Sequence, residues 1–403
     1  MCIKFIRRAT TGLSFIAILT LTFSFNFFLS TTVYGQTTPL FTLREAPQLR
    51  MPGVVQGPNS EWGVDGNSTA VRDANGNLIL FSSMSFPWRS VGPDLYHMSK
   101  SEPVVVNRRE DIEGGLWLEA VYRDSDGTLF GWTHNEFQTG CENMSLGAPR
   151  IRQMVSRDDG KTWDDTGIVV SAPDNFFNCD TGNMYFTGGT GDFSVLFDPA
   201  TNCFYFYFTT YSPDYQQQGI GVARMRYEDR LNPVGKVMNW YQGSWSQSAI
   251  GGKLSPILPP TISWHETNLD AFWGPAIHYN AYLDQYVMLL NHAIGAAWGT
   301  EGFYISFNPD IENPNGWSEP QRLPVEPDGP LQAYPQIMGI EEDGTDKLAR
   351  RVGRLFLQGF SKYEIVFWHP LPKAEARRSP SADRLPPPVR SNTRGAGGGR
   401  TRQ

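Results

Sequence analysis

The chain has 403 residues, with 34 basic and 41 acidic side chains and a formal net charge of −7. Aromatic residues make up 13%, and 40 glycines with 29 prolines suit short strands and frequent turns. With its two basic ends set aside, the rest carries an excess of about 16 acidic charges, the wrong sign for a nucleic-acid partner.

In chain order, residues 1–35 read as a signal peptide. Lys4, Arg7 and Arg8 precede an apolar run from Leu13 to Leu29, and Val33-Tyr34-Gly35 places cleavage before Gln36. The alternative is an uncleaved anchor, for which that run lies at the short limit. A secreted or periplasmic protein is expected, with no stable membrane insertion once the signal is removed. Residues 36–54 read as a lead-in and 55–372 as one domain.

Five similar hairpins follow. Their first members are Gly63–Val71, Leu116–Tyr122, Gly191–Phe197, Phe272–His278 and Ala333–Met338. The second members are Asn77–Ser82, Thr128–Thr133, Cys203–Thr209, Tyr286–Asn291 and Gly353–Gln358. Turns such as Asp73-Ala74-Asn75-Gly76 and Asp124-Ser125-Asp126-Gly127 join them, the carboxylate bonding the turn backbone and the glycine taking positive φ. No core window shows a helical period. One hairpin design used five times predicts an all-β fold, a five-bladed β-propeller, in which sheets repeated around an axis protect their edges. A β-sandwich also strings hairpins together. Ser156-Arg157-Asp158-Asp159-Gly160-Lys161-Thr162-Trp163 matches the Asp-box of sialidase-like propellers, a structural motif. From Lys373 to Gln403 the chain is basic and rich in Pro, Gly and Ser, and reads as a disordered, functionally silent tail.

Of the cysteines after the signal, Cys141 and Cys179 lie in loop-like contexts and are the favoured disulfide, leaving Cys203 free. No Cys-x-x-Cys or His-x-x-x-His spacing supports zinc, and neither a metal nor a cofactor is expected.

In a propeller the first strand of each blade lines the central channel. Its repeating polar position gives Asp65, Glu119, Asp192, Trp273 and Tyr334. Three carboxylates facing one funnel resist each other's ionisation. With aromatic faces to stack on a sugar, they form a kit for glycosidic cleavage, one carboxyl protonating the leaving oxygen and another activating water or attacking. Each has a plainer reading. Asp65 could belong to a turn, Glu119 to a structural salt bridge, and Asp192 follows a Gly-Gly-Thr-Gly run. His134 could reach the funnel mouth, and Arg89 could hold a substrate carboxylate. His278 and His292 alternate with apolar residues, as core histidines do.

This plan resembles the five-bladed glycoside hydrolase superfamily that includes families 43, 32, 68 and 117. The resemblance spans about residues 55–370. It implies a base or nucleophile at Asp65 in Val64-Asp65-Gly66-Asn67. Leu118-Glu119-Ala120-Val121 and Gly191-Asp192-Phe193-Ser194-Val195 resemble the family's Ile-Glu-Gly-Pro and Ile-Asp-Pro-Ser strands. In family 43 the aspartate strand comes first, and here the order is reversed, which leaves the roles of Glu119 and Asp192 open. The expected function is a secreted glycan-active enzyme, a glycoside hydrolase with a carbohydrate substrate. The alternatives are a non-catalytic propeller that binds glycan or protein, and a sialidase-like enzyme. The oligomeric state is not legible.

Overall fold

The repeated hairpins become five sheets of a five-bladed β-propeller in the computed structural model. It describes residues 39–53, 64–107, 113–141, 147–327 and 333–369, with the backbone alone for the short strands Val55–Gln56 and Glu61–Trp62. The expected signal peptide and the tail from Lys373 lie outside the described residues. The innermost strands are Thr69–Arg72, Leu116–Arg123, Thr190–Asp198, Asp270–Asn280 and Pro335–Gly339. Each pairs antiparallel with the hairpin partner expected from the sequence. Among the described residues the helices are two short 3-10 turns, and no helix is long and apolar enough to cross a membrane.

The turns are held as the sequence predicts. Asp73 accepts from the Asn75 and Asn77 amides, both at 2.8 Å, and Gly76 takes φ +82°. Period-two alternation builds the core between blades. In Cys203–Thr210 every residue is buried. Phe204, Phe206 and Phe208 pack towards Phe130, Trp132 and Ile151 of blade two. Cys203, Tyr205 and Tyr207 face Ile277, Met288 and Leu290 of blade four. A strand buried on both faces reads as a continuous apolar run, as this one does.

One expectation is corrected. Leu40–Arg50, read as part of a lead-in, is the outer strand of the fifth sheet and pairs antiparallel with Phe360–Trp368. Phe41 and Leu43 pack on the cluster containing Phe307, Phe360 and Phe367, and Arg44 lies 2.6 Å from the buried Glu364. The chain's first described strand thus completes the blade built by its last ones, which covers a sheet edge.

Between blades one and two, Trp163 is fully buried and meets Phe81 edge-on at 5.6 Å. Its hairpin is tied by Asp158, which accepts from the Thr162 amide at 2.9 Å, the Thr162 hydroxyl at 2.8 Å and the Ser156 hydroxyl at 2.8 Å. Trp163→Ala is expected to cost about 3–5 kcal/mol by the cavity it leaves, seen as a lower urea midpoint. A midpoint within experimental error of wild type would contradict that role.

Candidate active site

The inner ladders are interrupted where the strands reach one mouth of the channel. In blade two, Trp132 pairs with Ala120 but Thr133 with Leu118, so Glu119 is the extra residue of a β-bulge. In blade three, Gly191 and Phe193 pair with Thr209 and Phe208, leaving Asp192 bulged at φ +43°. In blade four the shift falls after Trp273, with Gly274 at φ +60°. Tyr334, just before the inner strand of blade five, takes φ +51°. Bulges re-aim side chains beside active sites, and here Asp65, Glu119, Asp192, Trp273 and Tyr334 line one cavity of about 370 Å³. Asp65 was expected on a strand. It lies instead on the bend leading into Thr69–Arg72, its amide bonded to Ser83 O at 2.8 Å. Gly66, at φ +134°, allows this approach, since a Cβ there would sit 2.9 Å from Glu119 Oε1 and 2.5 Å from Ser83 Oγ.

Asp65 and Asp192 meet at one hydroxyl. Tyr334 Oη lies 3.3 Å from Asp192 Oδ1 and 3.4 Å from Asp65 Oδ1. Those two oxygens are therefore no more than about 6.7 Å apart. Asp65 Oδ2 also accepts from Trp117 Nε1 at 3.0 Å, and Asp192 Oδ2 from Tyr211 Oη at 2.5 Å. Glu119, 1% exposed, accepts from the Phe193 amide at 2.7 Å through Oε2. His134 Nδ1 accepts from the Asp192 amide at 2.9 Å, and Nε2 lies 3.2 Å from Glu136 Oε1.

Burial raises the pKa of Glu119 well above the ordinary glutamate value. Asp192 and Asp65 add to the rise, and His134 and the Phe193 amide oppose it. Burial also raises Asp192, with His134 and the Tyr211 hydroxyl opposing. Asp65 is the most solvent-reached of the three, yet the cavity walls still withdraw enough water to raise it against the Trp117 N–H. For His134, burial disfavours the charged ring, but the Glu136 hydrogen bond and the charges of Asp192, Glu136 and Glu119 push it up to about 9. Part of that rise comes from the charges of Asp192 and Glu119, whose own pKa values are raised. A backbone N–H aimed at Nδ1 requires a lone pair there. The fixed geometry selects the neutral ring, with the contested proton on a buried acid, and Glu119 is the more strongly raised.

Glu119, His134 and Asp192 each bring one potential ligand atom within 4.8 Å of the others. Glu119 Oε2, His134 Nδ1 and Asp192 Oδ2 already accept from protein donors. A cation engaging His134 Nδ1 would displace its bond from the Asp192 amide.

No family model and no curated protein matches the sequence. Solved structures do. The chain is similar to an endo-arabinase from Bacteroides thetaiotaomicron at 13% identity and a TM-score of 0.47, over 80% of this chain and 98% of that one. It is similar to a family 117 glycoside hydrolase from the marine bacterium Zobellia galactanivorans at 12% identity and a TM-score of 0.46, over 85% and 98%. A third is the α-L-arabinanase of Penicillium chrysogenum, at 13% identity and 0.45, over 78% and 83%. The chemistry of the cavity rests on this chain's own residues.

Of the other expected site residues, His134 reaches the cavity and Arg89 does not. Arg89 donates to the Asp159 carbonyl at 2.7 Å. It lies in the third strand of blade one, Trp88–Gly92, where it faces the hairpin of blade two. His278 is buried, and burial with the Lys347 charge lowers it to about 3. His292 is not a core residue but pairs with Asp270 at 2.9 Å and Glu301 at 3.2 Å. Missed from the sequence were Trp117, Glu136, Tyr185, Phe186 and Trp298, which also line the cavity. Trp117 and Glu136 stand two residues from expected members on the same strands, so strand alternation signalled them. Tyr185 and Trp298 come from loops outside the repeat, with rings 4.8 Å apart. The favoured disulfide Cys141–Cys179 is present, and Cys203 is buried and free.

Proposed function

We propose that the protein is a secreted glycoside hydrolase acting on an uncharged glycan. The observation that carries this reading is one hydroxyl, Tyr334, within reach of both Asp65 and Asp192 beside a buried Glu119, in a cavity walled by Trp117, Phe186, Trp273 and Trp298. Glu119, which keeps its proton to higher pH, protonates the leaving glycosidic oxygen. Asp65, the wettest carboxylate, activates the water or attacks. Asp192 keeps Glu119 protonated by its charge and fixes Tyr334. Among the described residues four carboxylates and no Lys or Arg line the cavity, an arrangement that suits an uncharged sugar better than an anionic one. The test is hydrolysis of neutral oligosaccharides and aryl glycosides by wild type, Asp65→Asn and Glu119→Gln. Retained glycan binding without any cleavage would favour a binding propeller.

Tyr185, 46% exposed at the cavity rim, offers its ring to the sugar beyond the cleaved bond. Tyr185→Ala is expected to raise KM several-fold on oligosaccharides with kcat little changed, the mark of lost uniform binding. An unchanged KM would exclude the residue from substrate contact.

A further inference from the structure

We propose that His134 is the positioning residue of this site, its Nδ1 lone pair holding the Asp192 bulge so that the Asp192 carboxylate faces Tyr334 and Asp65. The activity arm of its test rests on the hydrolase reading, and the structural arm does not. Asp192 is a non-glycine residue at φ +43°, a conformation that persists only where the surroundings over-determine it. The bulge also takes Asp192 out of register with Cys203–Thr210, so its amide needs another acceptor. His134 Nδ1 supplies it at 2.9 Å. The next amide, of Phe193, is taken by Glu119 at 2.7 Å. Two side chains of blade two thus hold consecutive amides of blade three.

The imidazole is itself set in place. Its Nε2 faces Glu136 at 3.2 Å, which assigns the ring proton to Nε2 and leaves the lone pair on Nδ1. Trp117 meets the ring edge-on at 5.5 Å. Close approach to blade three depends on Gly191. A Cβ there would lie 2.5 Å from His134 Cε1, 2.6 Å from Nδ1 and 2.6 Å from Pro149 Cβ, closer than the ring could tolerate.

Asparagine and glutamine separate the two nitrogens. His134→Asn can place an oxygen near the Nδ1 position, whereas His134→Gln reaches towards Glu136 and offers no acceptor at Nδ1. Crystal structures of both variants in the otherwise full chain, with kinetics on a cleaved glycan, form the experiment. Asn is expected to keep Asp192 bulged and to retain most of kcat. In Gln, Asp192 should leave the left-handed region or part from Tyr334, and kcat should fall by about 100-fold with KM little changed. Gly191→Ala presses on the ring and on Pro149 without altering the histidine and should behave like Gln, which keeps the proposal decidable if one histidine variant fails to fold. Asp192 unmoved in both Gln and Gly191→Ala, or equal kcat in Asn and Gln, would overturn the proposal. A wild type that cleaves no glycan would instead defeat the hydrolase reading, and the Asp192 geometry would still decide this one.

Discussion

Glu119→Gln is expected to lower kcat by about 10²–10⁴-fold on glycans with poor leaving groups and to spare much of the activity on activated aryl glycosides. The reason is that an activated leaving group departs with little protonation, so only the demanding substrates need the acid. Equal loss on both would remove Glu119 from that role. The substitution has a second consequence. Native Glu119 holds its proton to higher pH than an unfolded glutamate, because burial disfavours its charge. Between the unfolded and folded pKa values the native state binds more protons, so this group's contribution to stability is lost as pH rises through that window. Glutamine, neutral throughout and still able to accept from the Phe193 amide, removes the dependence. The Tm of the variant relative to wild type should be level below the ordinary glutamate value of about 4.3 and rise towards neutral and alkaline pH. A difference constant with pH would show that Glu119 is ionised in the native state.

Asp65→Asn is the second large effect. A base or nucleophile is needed whatever the leaving group, so kcat should fall by about 10²–10⁴-fold on aryl glycosides and oligosaccharides alike. The two acids also set opposite limbs of a pH profile. Activity falls as pH drops through the raised Asp65 value, where the base is protonated, and as pH rises through that of Glu119, where the acid is lost. Asp65→Asn should erase the acidic limb along with the rate. A variant that kept wild-type kcat would place the base elsewhere.

What the sequence made legible was local. Asp-x-x-Gly turns and period-two strands are decided within about a dozen residues, so all five hairpins could be read, and their common position named Asp65, Glu119, Asp192, Trp273 and Tyr334 together. The bulges that aim them depend on pairing register, which the strand sequence alone does not disclose. Leu40–Arg50 escaped because its partner strand, Phe360–Trp368, lies at the far end of the domain. The contact of Arg89 was hidden for a related reason. Its contact, the Asp159 carbonyl, belongs to the next blade, and contacts between blades leave no mark in a single strand. Tyr185 and Trp298 stand on loops with no repeat to betray them, although both are aromatic residues of the kind that lines sugar sites.

The central claim is that these carboxylates cleave a glycosidic bond, and reducing-end release from a panel of uncharged oligosaccharides tests it most directly. The account predicts release by the wild type and at least about 100-fold slower release by Asp65→Asn and by Glu119→Gln, with binding of the same oligosaccharides retained in both variants. Binding by the wild type with no release from any of them, and with affinity indifferent to both substitutions, would contradict it.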